Sequence, residues 1–518
     1  MPTMVDSLAA SQASASGLAL EQGVSWKELA LKIFSFPVMT FFLLATALFR
    51  ACVRDVAEPD IWWHLRNAQY LLQHHALPRF DMYSTGAAGS PWINHEWLGE
   101  LPFYIGFRAA GLQGMVAVYF AVLLLIFGGV YYRACRAGGN CKDAVLISLA
   151  GVMLGVVSIG PRMLLFGWLC MVVLLMVVDH FRRSGNGLCL LLLPPLFTVW
   201  INLHGSWVYG IVVLLAITVA GLVRGEWGQV VAQRWSRSEL RKLGFTLIAS
   251  IAALFVNPFG HKLVLYPFDL LFRQQSNLKN IEEWQSVDFN TANGRLAMAV
   301  IMLVLATAWF SRRRWRLDEV VLAAFALWGA LSHVRLFFFA GLVLPPILAP
   351  HISLFPPFQE EKDKPWLNAV IMAAVVGIVI WFYPSEGKLQ KEISSKYPAA
   401  ALAYIEQNHL AGRIFNNYGW GGYMEWYAPE IKPFIDGRAD IFVYNGSFDD
   451  YLKVGRIEQP FEVLNKYKID YVLYEPKTPL SYLLDHHPEW HRKYVDQTSI
   501  LFERAAASGV SQPQVQPN

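Results

Sequence analysis

With 518 residues, 55% of them hydrophobic and only 16% charged, the chain carries few charges for a soluble protein, and its mean hydropathy of +0.35 makes a bilayer the expected solvent for most of it. The net charge of +4 is small and unclustered, which argues against nucleic acid as a partner. All five cysteines (Cys52, Cys135, Cys141, Cys170, Cys189) lie in or beside apolar segments without a CxxC pair, so neither a disulfide framework nor a zinc site is expected.

Residues 1–26, rich in Ser, Ala and Gln, read as a disordered cytoplasmic tail. They lack the basic start and small-residue cleavage site of a signal peptide, so the first apolar run is expected to remain as a helix. About 20 apolar residues span a bilayer as a helix. Apolar runs that approach this length lie at 33–53, 112–132, 144–160, 163–180, 188–203, 206–223, 243–257, 296–310, 318–332, 335–349 and 366–383, which predicts about eleven spans. Many Trp side chains sit beside the run ends, as in interfacial belts.

Lys and Arg gather in alternate connections: Arg133, Arg136 and Lys142; Arg182 and Arg183; Arg224, Arg234, Arg237, Arg241 and Lys242; Arg312, Arg313, Arg314 and Arg316. Short basic loops stay cytoplasmic, so these loops face inward. The remaining connections face outward, with the isolated cations Arg162, Lys262 and Arg335. The predicted organisation is a polytopic α-helical membrane domain over 27–383, with a large first outer loop at 54–111, and an outer α/β domain over 384–518. In that domain Arg413–Asn416, Pro433–Ile435, Asp470–Tyr474 and Ser499–Glu503 read as strands, and 397–408, 448–455, 460–467 and 479–486 as helices. Gly419-Trp420-Gly421-Gly422 and Asp436-Gly437-Arg438 read as turns, and no phosphate-loop fingerprint occurs, so the domain reads as a lid or scaffold without chemistry of its own.

The outer face collects the unusual polar residues. Directly after the first run comes Glu58-Pro59-Asp60-Ile61-Trp62-Trp63-His64-Leu65-Arg66-Asn67. With Pro59 in the first helical turn, Asp60, His64 and Asn67 share one face, and Ile61, Leu65 and Leu72 an adjacent apolar one. Such a helix is expected along the membrane surface, with a carboxylate beside an imidazole at headgroup depth. That carboxylate could take the proton of an attacking hydroxyl, although it could equally just complement the helix N-terminus.

Asp81, in Asp81-Met82-Tyr83-Ser84, and Glu96, in Trp92-Ile93-Asn94-His95-Glu96-Trp97, are further acids able to share that cavity, with His95 beside them. Nothing has strong metal-ligand spacing, although a divalent cation bridged by Asp60, Asp81 or Glu96 to a substrate phosphate is compatible with the residue types. Arg162, Arg335 and Lys262, with His204 and His261, could hold an anionic group such as a phosphate, where Arg binds bidentately. Their alternative is snorkelling to lipid headgroups.

The first run followed at once by a loop carrying Asp60, the EPDIWWHL and DMYS…WINHEWLGEL segments and the many-span body resemble the GT-C fold of membrane glycosyltransferases, among bacterial members related to protein O-mannosyltransferases and to lipid A aminoarabinose and core-sugar transferases. Asn257-Pro258-Phe259-Gly260 and Ile281-Glu282-Glu283-Trp284 also look like loops of such proteins, and the likeness spans about 30–350. The resemblance implies a sugar donor on a polyprenyl phosphate, an acceptor that is a lipid or a periplasmic molecule, and a site on the periplasmic face of a bacterial inner membrane. It also implies that Asp60 is the catalytic base, that the sugar carbon inverts and that basic residues steady the leaving phosphate. In those mannosyltransferases the base belongs to an Asp-Glu pair, whereas Asp60 is followed by Ile61. A transporter or flippase of lipid-linked intermediates is a rival, but it would show charges in mid-helix and repeated broken segments. A polymerase or ligase would carry its main outer loop late in the membrane part, and a sensor or scaffold would not need Asp60.

Overall fold

The structure is a computed structural model that describes residues 25–53, 56–156, 159–274 and 279–505. The expected disorder of 1–26 lies almost wholly outside them. In the membrane part the chain runs through α1 (Trp26–Ile33), α2 (Phe36–Cys52), α3 (Ile61–His74), α4 (Trp97–Gly138), α5 (Cys141–Gly155), α6 (Leu164–Ser184), α7 (Leu193–Leu203) and α8 (Trp207–Ala220). It continues through a small β1–β2 hairpin (Gly225–Trp227, Val230–Ala232), α9 (Arg237–Ala253), α10 (His261–Arg273), α11 (Ala292–Phe310), β3 (Trp315–Arg316), α12 (Leu317–Ser332), α13 (Phe337–Leu348) and α14 (Pro365–Trp381).

Every one of the eleven apolar runs coincides with a helix. By length and composition, however, four helical stretches among the described residues can cross a membrane, and up to six if each of two bent pairs counts as one span. The others are shortened by local chemistry. The run at 188–203 begins as a 3-10 turn ahead of two prolines, and 206–223 yields only 14 helical residues before a glycine. The run at 335–349 became the most enclosed element, since every residue of α13 is buried. Gly151 and Gly341 let α5 and α13 approach closely, because a methyl group on Gly151 would lie 2.5 Å from the Gly341 carbonyl oxygen. Several cations of the basic loops are paired, Arg133 with Asp179 at 2.8 Å and Arg182 with Asp318 at 2.9 Å.

The helix α4 is broken where the first outer loop meets the membrane run. Ala110 and Gly111 leave helical geometry, and Gly111 adopts φ +57°, which only glycine takes without strain. The two amides freed by the break, Leu112 N–H and Gln113 N–H, donate to the Glu386 carboxylate at 3.0 and 3.1 Å. An acid at the start of a helical segment also complements the local dipole.

Glu386 opens the C-terminal domain: α15 (Glu386–Ser394), α16 (Ala399–Gln407), β4 (Ile414–Asn416), α17 (Gly421–Tyr427), α18 (Ala439–Asn445), α19 (Ser447–Gly455), α20 (Pro460–Lys466), β5 (Tyr471–Tyr474), α21 (Pro479–Asp485), β6 (Trp490–Val495) and β7 (Ile500–Arg504). Its sheet has the order β4-β5-β7-β6, with β4 and β5 parallel and the other pairs antiparallel. Three of the four expected strands are present; Gly421-Gly422, read as part of a turn, opens α17 instead, and two strands differ. Pro433–Ile435 is not a strand: the side-chain amide of Asn416 accepts from Phe434 N–H at 2.7 Å and donates to the Ile435 carbonyl at 2.8 Å, which replaces a ladder partner. Trp490–Val495 is a strand, and its largely exposed Trp-His-Arg-Lys-Tyr-Val sequence gave no apolar alternation to find.

The loop between α2 and α4 and the C-terminal domain share one core. Trp63, Ala87 and Trp92 are buried with Phe415, Phe434, Ile435, Phe442 and Phe502. Backbone bonds join Thr85 N–H to the Pro433 carbonyl (2.8 Å) and Gly86 N–H to the Phe434 carbonyl (3.0 Å).

Candidate active site

The helix expected after the first run is α3, and it starts one residue beyond Asp60. Protein encloses its N-terminal half. Ile61, Trp62, Leu65, His64 and Asn67 are all buried, because α4 covers the polar stripe and α17 packs against the same helix. Asp60 stands at the cap position, but its carboxylate makes no capping bond and instead accepts from the Trp63 indole N–H at 3.2 Å. Gly437 of the C-terminal domain packs against it so closely that a methyl group there would sit 1.8 Å from Asp60 Oδ1. The segment read as a turn thus covers Asp60. Burial, reinforced by the Glu58 charge and opposed by Arg162, pushes the Asp60 carboxyl up to about 7.

The two arginines that seemed out of place on the outer face converge. Arg162 Nε meets Glu58 at 2.8 Å, and its guanidinium also bonds Glu283. Arg335 lies 3.9 Å from the other oxygen of Glu283 and over the Trp284 ring at 5.2 Å. His333 Nδ1 donates to the Trp284 carbonyl at 2.8 Å and Val334 N–H to the Gln285 carbonyl at 3.1 Å, so the loop bearing Glu283 and the turn bearing Arg335 are stitched together. Burial would raise Glu283, yet the two arginines outweigh it and hold it below the usual range. A carboxylate therefore occupies the space between two guanidiniums, and Asp60 interacts electrostatically with both Arg162 and Glu283.

Beside this group lies a buried acid–imidazole cluster centred on Glu96. His64 Nε2 is 3.3 Å from one Glu96 oxygen, and His204 Nε2 is 3.1 Å from the other. His204 Nδ1 accepts the Ser206 N–H at 2.9 Å, so a neutral His204 carries its proton on Nε2 and donates to Glu96. His64 Nδ1 lies 3.0 Å from Glu100, which also accepts from the Asn94 amide at 3.0 and 3.1 Å. His64 thus bridges two glutamates rather than assisting Asp60, which corrects the expected carboxylate–imidazole pair. Burial raises Glu96 to about 8, with Arg335 opposing. His95 stacks on Tyr266 at 4.4 Å and sits 3.7 Å from Glu96, and burial, with His64 and Arg335 adding to it, lowers it to about 3.

Asp81 belongs elsewhere. It accepts from the Ser84 hydroxyl at 2.6 Å and from Ser84 N–H at 3.2 Å, and it pairs with Arg438 at 2.8 Å. Arg438 is 2% exposed and also holds Asp436 at 2.5 Å and Glu425 at 3.3 Å, so Asp81 fastens the loop to the C-terminal domain and has no free oxygen to act as a base. His261 and Lys262 are exposed at the start of α10, without a polar side-chain partner among the described residues, and do not join the arginine pair. A cation held by Asp81 or by Glu96 does not fit these partners either, because Asp81 is committed to Arg438 and Glu96 to its histidines. Among the described residues no group of three or more His, Cys, Asp or Glu side chains is arranged to hold a metal.

Glu100, Glu283 and Arg438 were not singled out from the sequence. Glu96 and Glu100 stand four residues apart at the start of a helical run, a spacing that places two acids on one face and could have found Glu100. The parts played by Glu283 and Arg438 depend on residues far away in the chain and leave no local signal.

No protein-family model matches the chain, and no curated protein matches it in sequence. Among solved structures it is similar to the archaeal oligosaccharyltransferase AglB from Archaeoglobus fulgidus, a structure in complex with an inhibitory peptide and a dolichol-phosphate. The TM-score is 0.50 at 12% identity, over 95% of this chain and 76% of that one. The likeness shows the fold, that of the GT-C membrane glycosyltransferases.

Proposed function

We propose that the protein is a glycosyltransferase that moves a sugar from a polyprenyl-phosphate-linked donor to a lipid or periplasmic acceptor, at the outer face of a bacterial inner membrane. The observation that carries this reading is the Glu283 carboxylate held between Arg162 and Arg335 beside Asp60: an anion occupies the place where a donor phosphate would be bound. Two planar guanidiniums suit a phosphate as they suit a carboxylate, since each presents paired N–H donors to its oxygens.

In the reaction Asp60 accepts the proton of the acceptor hydroxyl, the hydroxyl oxygen forms its bond to the sugar carbon from the opposite face, and the carbon–oxygen bond to phosphate breaks with the electron pair leaving on phosphate. Inversion follows from that in-line geometry. Arg162 and Arg335 stabilise the charge that develops on the leaving group, while Glu283 moves aside. Glu96 and His204 lie in the electrostatic reach of Arg335.

Lipid-extract mass spectrometry of cells lacking the protein tests the function. A sugar-lipid should accumulate, disappear on complementation with the wild type and persist with Asp60→Asn. No change in any sugar-lipid would favour a scaffold, and accumulation corrected by Asp60→Asn would favour a flippase.

Arg335 gives a second test. Arg335→Lys keeps the charge but loses the forked geometry and should slow turnover, and Arg335→Ala should slow it roughly 100-fold, the scale of a single electrostatic stabiliser. Wild-type turnover in both variants at matched protein levels would reduce Arg335 to an interfacial anchor.

The proposed orientation is tested by labelling single cysteines in a cysteine-free background of intact cells. His75→Cys and Tyr482→Cys, both at exposed positions, should react with a membrane-impermeant reagent, whereas Arg183→Cys and Arg313→Cys should not. The reverse pattern would place the site in the cytoplasm.

A further inference from the structure

A cavity of about 170 Å³ lies between the first outer loop and the C-terminal domain, lined by Arg66, Met82, Tyr83, Glu425, Ile431 and Lys432, with Pro429 and Pro433. It belongs to the same interface that sets Gly437 against Asp60, since Arg66 is on the helix that starts at Asp60 and Glu425 touches Arg438. Its polar lining holds two cations, the Tyr83 hydroxyl and one carboxyl, that of Glu425. The Tyr83 hydroxyl is buried and has no hydrogen-bond partner among the described residues. Arg66 donates to the neutral Gln69 at 2.7 Å, and Lys432 is exposed without a carboxylate partner there. Burial first and the neighbouring Asp436 second push the Glu425 carboxyl above its usual range. A buried hydroxyl left unpaired costs free energy that a ligand oxygen would recover.

A cavity that offers two cations and a hydroxyl against an apolar floor of Met82, Ile431 and two prolines suits a ligand with a compact ring, several oxygens and a negative charge. We propose that this cavity is an acceptor subsite for an anionic sugar, one bearing a carboxylate or a phosphate. The assignment rests on the glycosyl-transfer reading for its meaning but not for its test. The carboxylate or phosphate would lie between Arg66 and Lys432, and a ring oxygen or hydroxyl would accept from Tyr83.

The test is saturation-transfer NMR on the full-length protein in lipid nanodiscs, with glucuronate, glucose 6-phosphate and neutral glucose as probes. One or both anionic sugars should bind saturably and glucose should not, and the stronger anion tells whether the acceptor is a sugar acid or a phosphorylated sugar. Lys432→Gln, at an exposed position, and Tyr83→Phe should each weaken binding about tenfold, the scale of one charged or buried hydrogen bond. Asp60→Asn should bind like the wild type. Absence of binding to either anion, equal binding of glucose, or unchanged affinity in both variants would overturn the subsite. Asp60-dependent transfer without such binding overturns the subsite alone. Binding without Asp60-dependent transfer overturns the enzymatic reading and leaves the anionic-sugar site standing.

Discussion

Asp60→Asn is expected to lower sugar transfer by about 100- to 10,000-fold, the range over which a positioned general base contributes. The fold should survive, because asparagine is nearly isosteric and can still accept from the Trp63 indole as Asp60 does. Membrane level and melting temperature should therefore match the wild type while turnover collapses. In the wild type the pH profile carries an independent signature. A base must be unprotonated to act, and Asp60 is pushed up to about 7, so the rate should climb as pH rises through that value and be low at pH 5. An unperturbed carboxylate, titrating near 4, would give a flat profile over the same range. Full activity in Asp60→Asn, or a rate independent of pH between 5 and 8, would remove Asp60 as the base.

Arg438→Met should be the most damaging change to stability. The arginine is buried and holds two buried aspartates, Asp81 from the first loop and Asp436 beside it. Burial alone would raise Asp436, but the Arg438 charge and hydrogen bonds outweigh it and keep it below the usual carboxylate range. Removing the cation leaves both acids buried without compensation, a loss of about 3–5 kcal/mol. Limited proteolysis should then cut between the membrane part and the C-terminal domain, and thermal unfolding in detergent should begin several degrees lower. Arg438→Lys should rescue only part of the loss, since one ammonium cannot reproduce the fork that meets Asp81, Asp436 and Glu425 together. A variant Arg438→Met with wild-type melting and protease resistance would show that the two parts hold together by their shared apolar core alone.

How far the sequence could be read depended on how local each signal was. Apolar length placed a helix in every predicted run, since backbone groups in a membrane must be satisfied within the segment. Whether each helix is long enough to cross was not legible, because the 3-10 turn and prolines at 188–203 and the glycine that ends the helix of 206–223 act through geometry rather than hydropathy. Arg162 and Arg335 stood out because isolated outer cations are unusual, and they do come together, but the acid that joins them, Glu283, lies in another loop. His64 was assigned to Asp60 by helical spacing, and Glu100 of α4 claimed it instead. Asp81 looked like a candidate base because its partner, Arg438, sits in a segment that read as an ordinary turn.

The shared core of the outer loop and the C-terminal domain sets an order of events during biosynthesis. Thr85 and Pro433, which bond across that interface, are 348 residues apart in the chain. Trp63 and Trp92 are therefore synthesised long before Phe415, Phe434 and Phe502 exist to cover them. At synthesis rates of about 5–20 residues per second the gap lasts on the order of tens of seconds. Until Gly437 follows, Asp60 lacks its cover. On the proposed function, nascent copies that end before Gly437 carry an uncovered Asp60, so completion of the site doubles as a check that the chain has been made at least that far.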